Sequence, residues 1–224
     1  MVTNFFSLEK SEFELKQSFL EFANMCYKHH LKACEILKQN EISDAIVTEM
    51  SLKKTKAKDK KRDIKDDCIW IISKDQPRSN HLRFIVAILY SSRDLERIAE
   101  QAYNIVWYSR RIWLLTNNKL SKMLREIVIK SLENSNLFFQ SMLEIFKSDS
   151  DYSKYLEDVK TLVSNCRSEY KSILSNALKE VSLSSASQVD FIFSFSIVMK
   201  YIDRTIDHLW SIFDNLLTIR NRDE

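Results

Sequence analysis

Two pairs of carboxylates recur at the same spacing in this sequence. Glu96 and Glu100 form the first pair, Asp203 and Asp207 form the second, and the members of each pair are four residues apart. Side chains four residues apart are neighbours on a helix surface, where two like charges repel each other unless a cation lies between them. Paired carboxylates are also ligands that oxygen-preferring metal ions use. The spacing therefore makes each pair a candidate metal site.

The segments that carry the two pairs have the same apolar pattern. At about 100° per residue around a helix, the apolar side chains of each segment fall along one seam. In both segments the carboxylates lie about 120° and 160° away from that seam. A solvated acidic face neutralised by Arg97 and Arg204 is the simpler interpretation, and the repetition at equal angles favours a cation site. The seam positions are Phe84, Ile88, Leu95, Ile98 and Ala102 in the first segment, and Phe191, Phe195, Val198, Ile202, Leu209 and Phe213 in the second.

The composition predicts an all-α fold. The 224 residues include no glycine and a single proline, Pro77. Tight hairpin turns between strands depend on glycine, whereas helical hairpins form without it. The lack of glycine also excludes the glycine-rich loops that hold phosphates in nucleotide-binding folds.

Apolar residues recur with helical periodicity along the whole chain. The pattern predicts six long antiparallel helices, with Ser43 as the N-cap of the second, at residues 8–38, 44–74, 81–115, 121–146, 152–181 and 187–221. The last three helices repeat the first three at the offset of 107 residues that relates Glu96 to Asp203. We therefore expect two tandem three-helix bundles that arose by duplication, at residues 1–116 and 117–224, packed tightly enough that they could form one structural domain.

Basic residues are concentrated in one run, residues 53–62, whereas the net charge of the chain is only +3. A run of this kind is usually a solvated helix face, and the alternative is a patch for anionic lipid or nucleic acid. No aromatic residue is interleaved in it for base stacking. The first ten residues lack a basic leader followed by an apolar stretch, and the longest apolar run is far shorter than a membrane span. We expect a cytoplasmic protein without a preference for nucleic acid.

Two stretches of the third predicted helix and the turn before it resemble a known family. Residues 76–83 read Gln-Pro-Arg-Ser-Asn-His-Leu-Arg and residues 95–100 read Leu-Glu-Arg-Ile-Ala-Glu, with a weaker second copy at residues 203–207. These motifs, and the layout of six helices in two copies, resemble the PhoU family of phosphate-transport accessory proteins. The resemblance implies a cytoplasmic regulator, peripheral to the membrane, that docks on the ATPase of a phosphate ABC transporter.

The resemblance also implies roles for individual residues. It implies metal ions, iron or zinc in this family, on Glu96, Glu100, Asp203 and Asp207, and a part in partner binding for Gln76, Pro77, Arg83, Arg97 and Arg204. Two acidic positions of the family fall on Lys54 and Lys61 in this sequence. A lysine that faces a metal cluster would oppose it electrostatically.

The prediction from the sequence is therefore a non-enzymatic, PhoU-like regulator of phosphate uptake, with a homodimer left open. The first alternative is a metal-dependent hydrolase that uses the four carboxylates, which would need a pocket with an open metal position. The second alternative is a basic helical protein that binds nucleic acid through residues 53–62.

Overall fold

The computed structural model describes residues 2–39, 41–114, 119–148, 151–179 and 186–219. These residues form six α-helices and no strand, so the predicted all-α class is confirmed. Helix α5 starts four residues later than predicted because residues 152–155 form a 3₁₀ turn, which Asp151 caps by accepting a hydrogen bond from Ser153 N. The helices are α1 Val2–Leu37, α2 Asp44–Asp75, α3 Ser79–Leu114, α4 Lys119–Lys147, α5 Leu156–Lys179 and α6 Ala186–Leu217.

Polar residues end and start the helices in this chain without glycine. Ser43 is the N-cap of α2, as predicted, and its hydroxyl accepts a hydrogen bond from Ile46 N at 3.4 Å. Gln76 ends α2 with φ of 45°, and Ser79 starts α3 with φ of 52°. The left-handed region is usually occupied by glycine, and here two polar residues adopt it on either side of Pro77, where three residues join α2 to α3.

The helix contacts within the first half of the chain are repeated in the second half. Within each half, the first helix packs on the second and third, and the second packs on the third. Between the halves, α3 packs on α6 and α1 packs on α4. Each of these two contacts joins equivalent helices. The arrangement supports the predicted duplication of a three-helix unit.

The apolar core is shared between the two halves. Two clusters of buried side chains divide it, one at each end of the bundle, and each cluster draws on helices of both halves. The first includes Phe22, Ile64, Ile98, Phe138 and Phe213. The second includes Ala33, Met50, Ile105, Leu132 and Val198. The predicted domain boundary at residues 116 and 117 lies outside the described residues, and the shared core supports one structural domain.

The predicted seams of α3 and α6 line this core. Every seam residue with a described side chain is buried, apart from the half-buried Phe84, which packs against the first cluster. The side chain of Phe191 lies outside the described residues. The helical periodicity of the sequence therefore located the core faces of both helices.

Large apolar side chains also remain on the surface. The most exposed are Phe13, Leu52, Ile69, Trp70, Tyr90, Trp107, Leu137 and Phe193. Each belongs to a helix whose other faces are polar or turned to the core. Across the described helices, none combines the length and apolar character that a membrane crossing requires.

We expect the two halves to unfold together. Replacing Phe213 with alanine should lower the free energy of unfolding by about 3–5 kcal/mol, because this fully buried ring fills a cluster shared by both halves. In urea, circular dichroism and tryptophan fluorescence should report a single transition. The matched control, Phe193→Ala on the same helix, removes a largely exposed ring and should leave stability nearly unchanged. Two separate transitions, with only one shifted by Phe213→Ala, would contradict the shared core.

Candidate functional site

Glu96 lies in the interface between α2 and α3. Lys61 of α2 donates a hydrogen bond from Nζ to Glu96 Oε2 at 2.8 Å, and only 17% of the Glu96 side chain is exposed. The antiparallel packing of α2 on α3 places the two residues opposite each other. The carboxylate is therefore covered and neutralised by a lysine, and it does not point to solvent as the seam angle alone suggested.

Glu100, one helical turn further along α3, has a different cation. Arg97 Nη1 donates to Glu100 Oε2 at 2.6 Å, and this hydrogen bond and the charge of Glu100 raise the pKa of Arg97. The prediction that Arg97 neutralises this acidic face is confirmed for Glu100. Within the first pair, then, each carboxylate binds a separate cationic side chain.

The second pair has a similar arrangement. Arg167 of α5 donates from Nη2 to Asp207 Oδ1 at 2.6 Å. Asp203 is half-buried one turn earlier on α6, and Arg204 is exposed. In each half of the chain a cation from the middle helix meets a carboxylate of the third helix. The sequence predicted Arg204 as the cation that neutralises this second acidic pair, and the structure places Arg167 at Asp207.

A metal cluster does not fit these contacts. Lys61, Arg97 and Arg167 bind three of the four carboxylates that would serve as ligands. Among the described residues, no three His, Cys, Asp or Glu side chains come together as a metal site would need. An ammonium group at 2.8 Å from Glu96 would repel a divalent cation at the same oxygen. Iron or zinc at these pairs stays a prediction from the resemblance.

The basic run of residues 53–62 divides between two faces of α2. Lys54 places its ammonium 4.1 Å from the ring centroid of Tyr103 on α3, and Lys61 binds Glu96 on the same helix. Lys56 and Lys58 are exposed. The interpretation of the run as a solvated face is therefore wrong for Lys54 and Lys61. Tyr103 lies far away in the sequence, so the aromatic contact of Lys54 could not be seen there.

The residues predicted to bind a partner lie on two helices and the turn between α2 and α3. Gln76 is exposed and Pro77 is buried in the turn between α2 and α3, and Arg83 is half-buried on the first turns of α3. Arg97 lies fourteen residues further along α3, which is about 21 Å at 1.5 Å per residue. Arg204 belongs to α6.

The turn is held to the start of α1 by polar contacts. The hydroxyl groups of Ser7 and Ser11 donate to the carboxylate of Asp75, Ser11 at 3.1 Å. His81 Nδ1 lies 2.9 Å from Glu12 Oε1. These contacts join residues that are more than sixty positions apart, so they position the turn in a way that no local sequence pattern shows.

Two histidines, His29 and His30, are buried between helices. His30 Nδ1 lies 2.8 Å from Asn136 Oδ1, and burial lowers the pKa of His30 to about 4, against the opposing effect of that hydrogen bond. His29 is 3% exposed, and neither of its ring nitrogens has a hydrogen-bond partner among the described residues. Burial, followed by the charges of Lys53 and His30, lowers the pKa of His29 to about 3. Both imidazoles are neutral at neutral pH.

Comparison with known proteins finds similarity to one family. Residues 19–108 match the model of the PhoU domain. The chain is 25% identical to the uncharacterized protein MG409 of Mycoplasma genitalium, over 97% of this chain and 96% of the relative. It is 29% identical to a phosphate-specific transport system accessory protein PhoU homolog of Borreliella burgdorferi, over 70% of each chain.

A solved structure has the same fold. The crystal structure of the phosphate transport system regulatory protein PhoU from Streptococcus pneumoniae matches with a TM-score of 0.72. The match covers 96% of this chain and 97% of the other, at 15% sequence identity. The family resemblance found in the motifs is therefore confirmed, and the fold similarity extends over both halves of the chain.

We expect the Lys61–Glu96 pair to stabilise the fold. Replacing Lys61 with methionine leaves a covered carboxylate without its cation and should lower the free energy of unfolding by about 1–3 kcal/mol. Adding Glu96→Gln to this variant should recover part of the loss, because the uncompensated charge is then gone. The matched control is Lys65→Met, which removes an exposed lysine of the same helix and should change stability by less than about 0.5 kcal/mol. Equal effects of the two lysine variants in urea unfolding would show that the pair contributes nothing.

We also expect stability to fall in mild acid because of His29. Its pKa is about 3 in the folded protein and about 6.5 in an unfolded chain, so the unfolded state binds more protons between these values. The free energy of unfolding should therefore fall as the pH falls below about 6.5, by about 1.4 kcal/mol per pH unit for this residue. His29→Leu and His29→Gln should both flatten this dependence by the same amount, whatever their effects at neutral pH. A slope that neither variant changes, measured by urea unfolding at pH values down to about 5.5, would contradict the burial of a neutral imidazole.

Proposed function

We propose that this chain, which resembles the PhoU family, is an accessory regulator of a phosphate transport system. The observation that carries the proposal is the match of residues 19–108 to the PhoU domain. The likeness in fold over nearly the whole chain to a phosphate transport system regulatory protein supports it. The regulator acts by binding a partner and catalyses no reaction.

The partner in this proposal is the cytoplasmic ATPase of a phosphate ABC transporter, which the chain joins from the cytoplasm as a peripheral protein. A docking surface lies at the end of the α2–α3 hairpin, and we call it the hairpin-end surface. It comprises the exposed residues Ile69, Trp70, Gln76 and Leu82, which all lie within about two helical turns of Pro77. Exposed apolar side chains in a polar surround are typical of protein interaction sites.

Trp70 is the residue of this surface that we expect to dominate binding. Its side chain is 55% exposed, and Lys74 places its ammonium 4.2 Å from the ring centroid. This cation–π contact holds the ring against the helix, so the side chain loses less conformational entropy when a partner binds. Tryptophan is among the residues that most often contribute the largest share of interface energy.

The two alternative functions have less support. A metal-dependent hydrolase needs an open coordination position, whereas Lys61, Arg97 and Arg167 bind the carboxylates concerned. A nucleic-acid interface on the basic run would lose Lys54 and Lys61, which contact Tyr103 and Glu96 inside the protein.

Direct binding to the purified ATPase tests the proposal. The immobilised chain should bind the purified ATPase of the phosphate transporter, and Trp70→Ala should weaken binding by at least about tenfold, the loss expected for a central aromatic residue. The control is Trp107→Ala, a partly exposed tryptophan near the other end of α3. Failure of the wild-type chain to bind the ATPase would overturn the proposed docking. Equal weakening by both variants would show that the hairpin-end surface is not the docking site.

A further inference from the structure

A cavity of about 530 Å³ opens between α1 and α2. Met25 and Cys26 of α1 and Ala57 of α2 form its apolar wall, and Ala99 of α3 contributes to the lining where the three helices meet. We call it the α1–α2 cavity. Its volume is within the range of pockets that hold small organic ligands, about 300–1,000 Å³. It shares no lining residue with the hairpin-end surface, and it borders the Glu96–Glu100 segment of α3 through Ala99.

His29 supplies a buried polar group to this cavity. It lines the cavity while its side chain is 3% exposed, and its two ring nitrogens have no hydrogen-bond partner among the described residues. A neutral imidazole carries one N–H donor and one acceptor nitrogen. Burying such groups unpaired is costly, and a ligand oxygen that accepts the N–H would remove part of that cost.

Lysines give the cavity a positive charge. Lys28, Lys53 and Lys56 line it, together with one carboxylate, Glu21. Lys53 also lies 3.3 Å from Glu49, in a half-exposed ion pair of the kind that contributes little to stability. This ammonium can therefore turn from Glu49 to a more highly charged anion. Three ammonium groups against one lining carboxylate favour a ligand with more than one negative charge.

We propose that the α1–α2 cavity binds a small organic phosphate, a molecule with an apolar or planar body and at least one phosphate group. The phosphate contacts Lys53, Lys56 and Lys28, since ammonium groups bind phosphate as point charges. The body lies against Met25 and Ala57, and an oxygen or nitrogen atom of the ligand pairs with His29. Inorganic phosphate would satisfy the lysines but would leave the apolar wall and most of the volume without contact.

Calorimetry with four probes tests this proposal on the full chain in the presence of a chelator. ADP and glucose 6-phosphate are the organic phosphates, adenosine lacks the phosphate, and inorganic phosphate lacks the body. We expect saturable binding of at least one organic phosphate, with adenosine and inorganic phosphate weaker by about tenfold or more. Vesicles that contain phosphatidylglycerol form a further arm, because Lys53-dependent sedimentation with them would identify a lipid headgroup as the source of the same chemistry.

Matched variants locate the site. Lys53→Gln/Lys56→Gln should weaken binding of the organic phosphate by about tenfold or more, and His29→Leu should weaken it while leaving all the lysines in place. The control, Lys58→Gln/Lys65→Gln, removes the same charge from exposed positions of α2 that do not line the cavity.

Three results would overturn the proposal. The first is that no organic phosphate, free or in vesicles, binds saturably. The second is that inorganic phosphate or adenosine binds as tightly as the organic phosphates. The third is an equal loss in both double variants, which would show a general effect of charge. None of these results depends on binding to a transporter ATPase, so this inference and the proposed function can fail separately.

Discussion

The antiparallel helices α3 and α6 form the central packing contact of the fold. The two helices bury apolar seams against each other and against the remaining helices, with Ile98, Leu209 and Phe213 fully buried. A polar contact sets their register, because Asp94 of α3 accepts a hydrogen bond from Ser211 at 2.8 Å and lies 2.9 Å from His208 Nδ1. A slide of either helix by one turn would leave this half-buried carboxylate without these partners, which is costly in a covered site.

This packing directs the acidic pairs toward the middle helices of each half. Because the seams of α3 and α6 face the core, the carboxylates lie on the sides of these helices, next to α2 in one half and next to α5 in the other. There Lys61 meets Glu96 and Arg167 meets Asp207. A carboxylate that is partly removed from water needs a cation or hydrogen-bond donors. In this chain side chains supply that charge, so the neutralisation of Glu96 and Asp207 requires no bound ion.

The lysines of the basic run, residues 53–62, lie on two different faces of α2. Lys54 and Lys61 are seven residues apart and point within about 20° of each other, toward α3. Lys53 and Lys56 lie within about 60° of each other and line the cavity beside α1. The first two lysines stabilise the fold through Tyr103 and Glu96. Lys53 and Lys56 line a cavity with His29, whose ring nitrogens have no hydrogen-bond partner among the described residues, and Lys53 also forms an ion pair with Glu49.

Local sequence patterns predict the helical class, the approximate positions of the six helices, the N-cap at Ser43 and the core faces of α3 and α6, and the structure confirms them. These features follow from periodicity and from local backbone chemistry, which act between residues a few positions apart. The sequence also contains the motifs that resemble the PhoU family. Which cation meets each carboxylate depends on tertiary packing, since Lys61 and Glu96 are 35 positions apart and Arg167 and Asp207 are 40. The same holds for the α1–α2 cavity, because a buried imidazole and two lysines from another helix come together only when the helices pack.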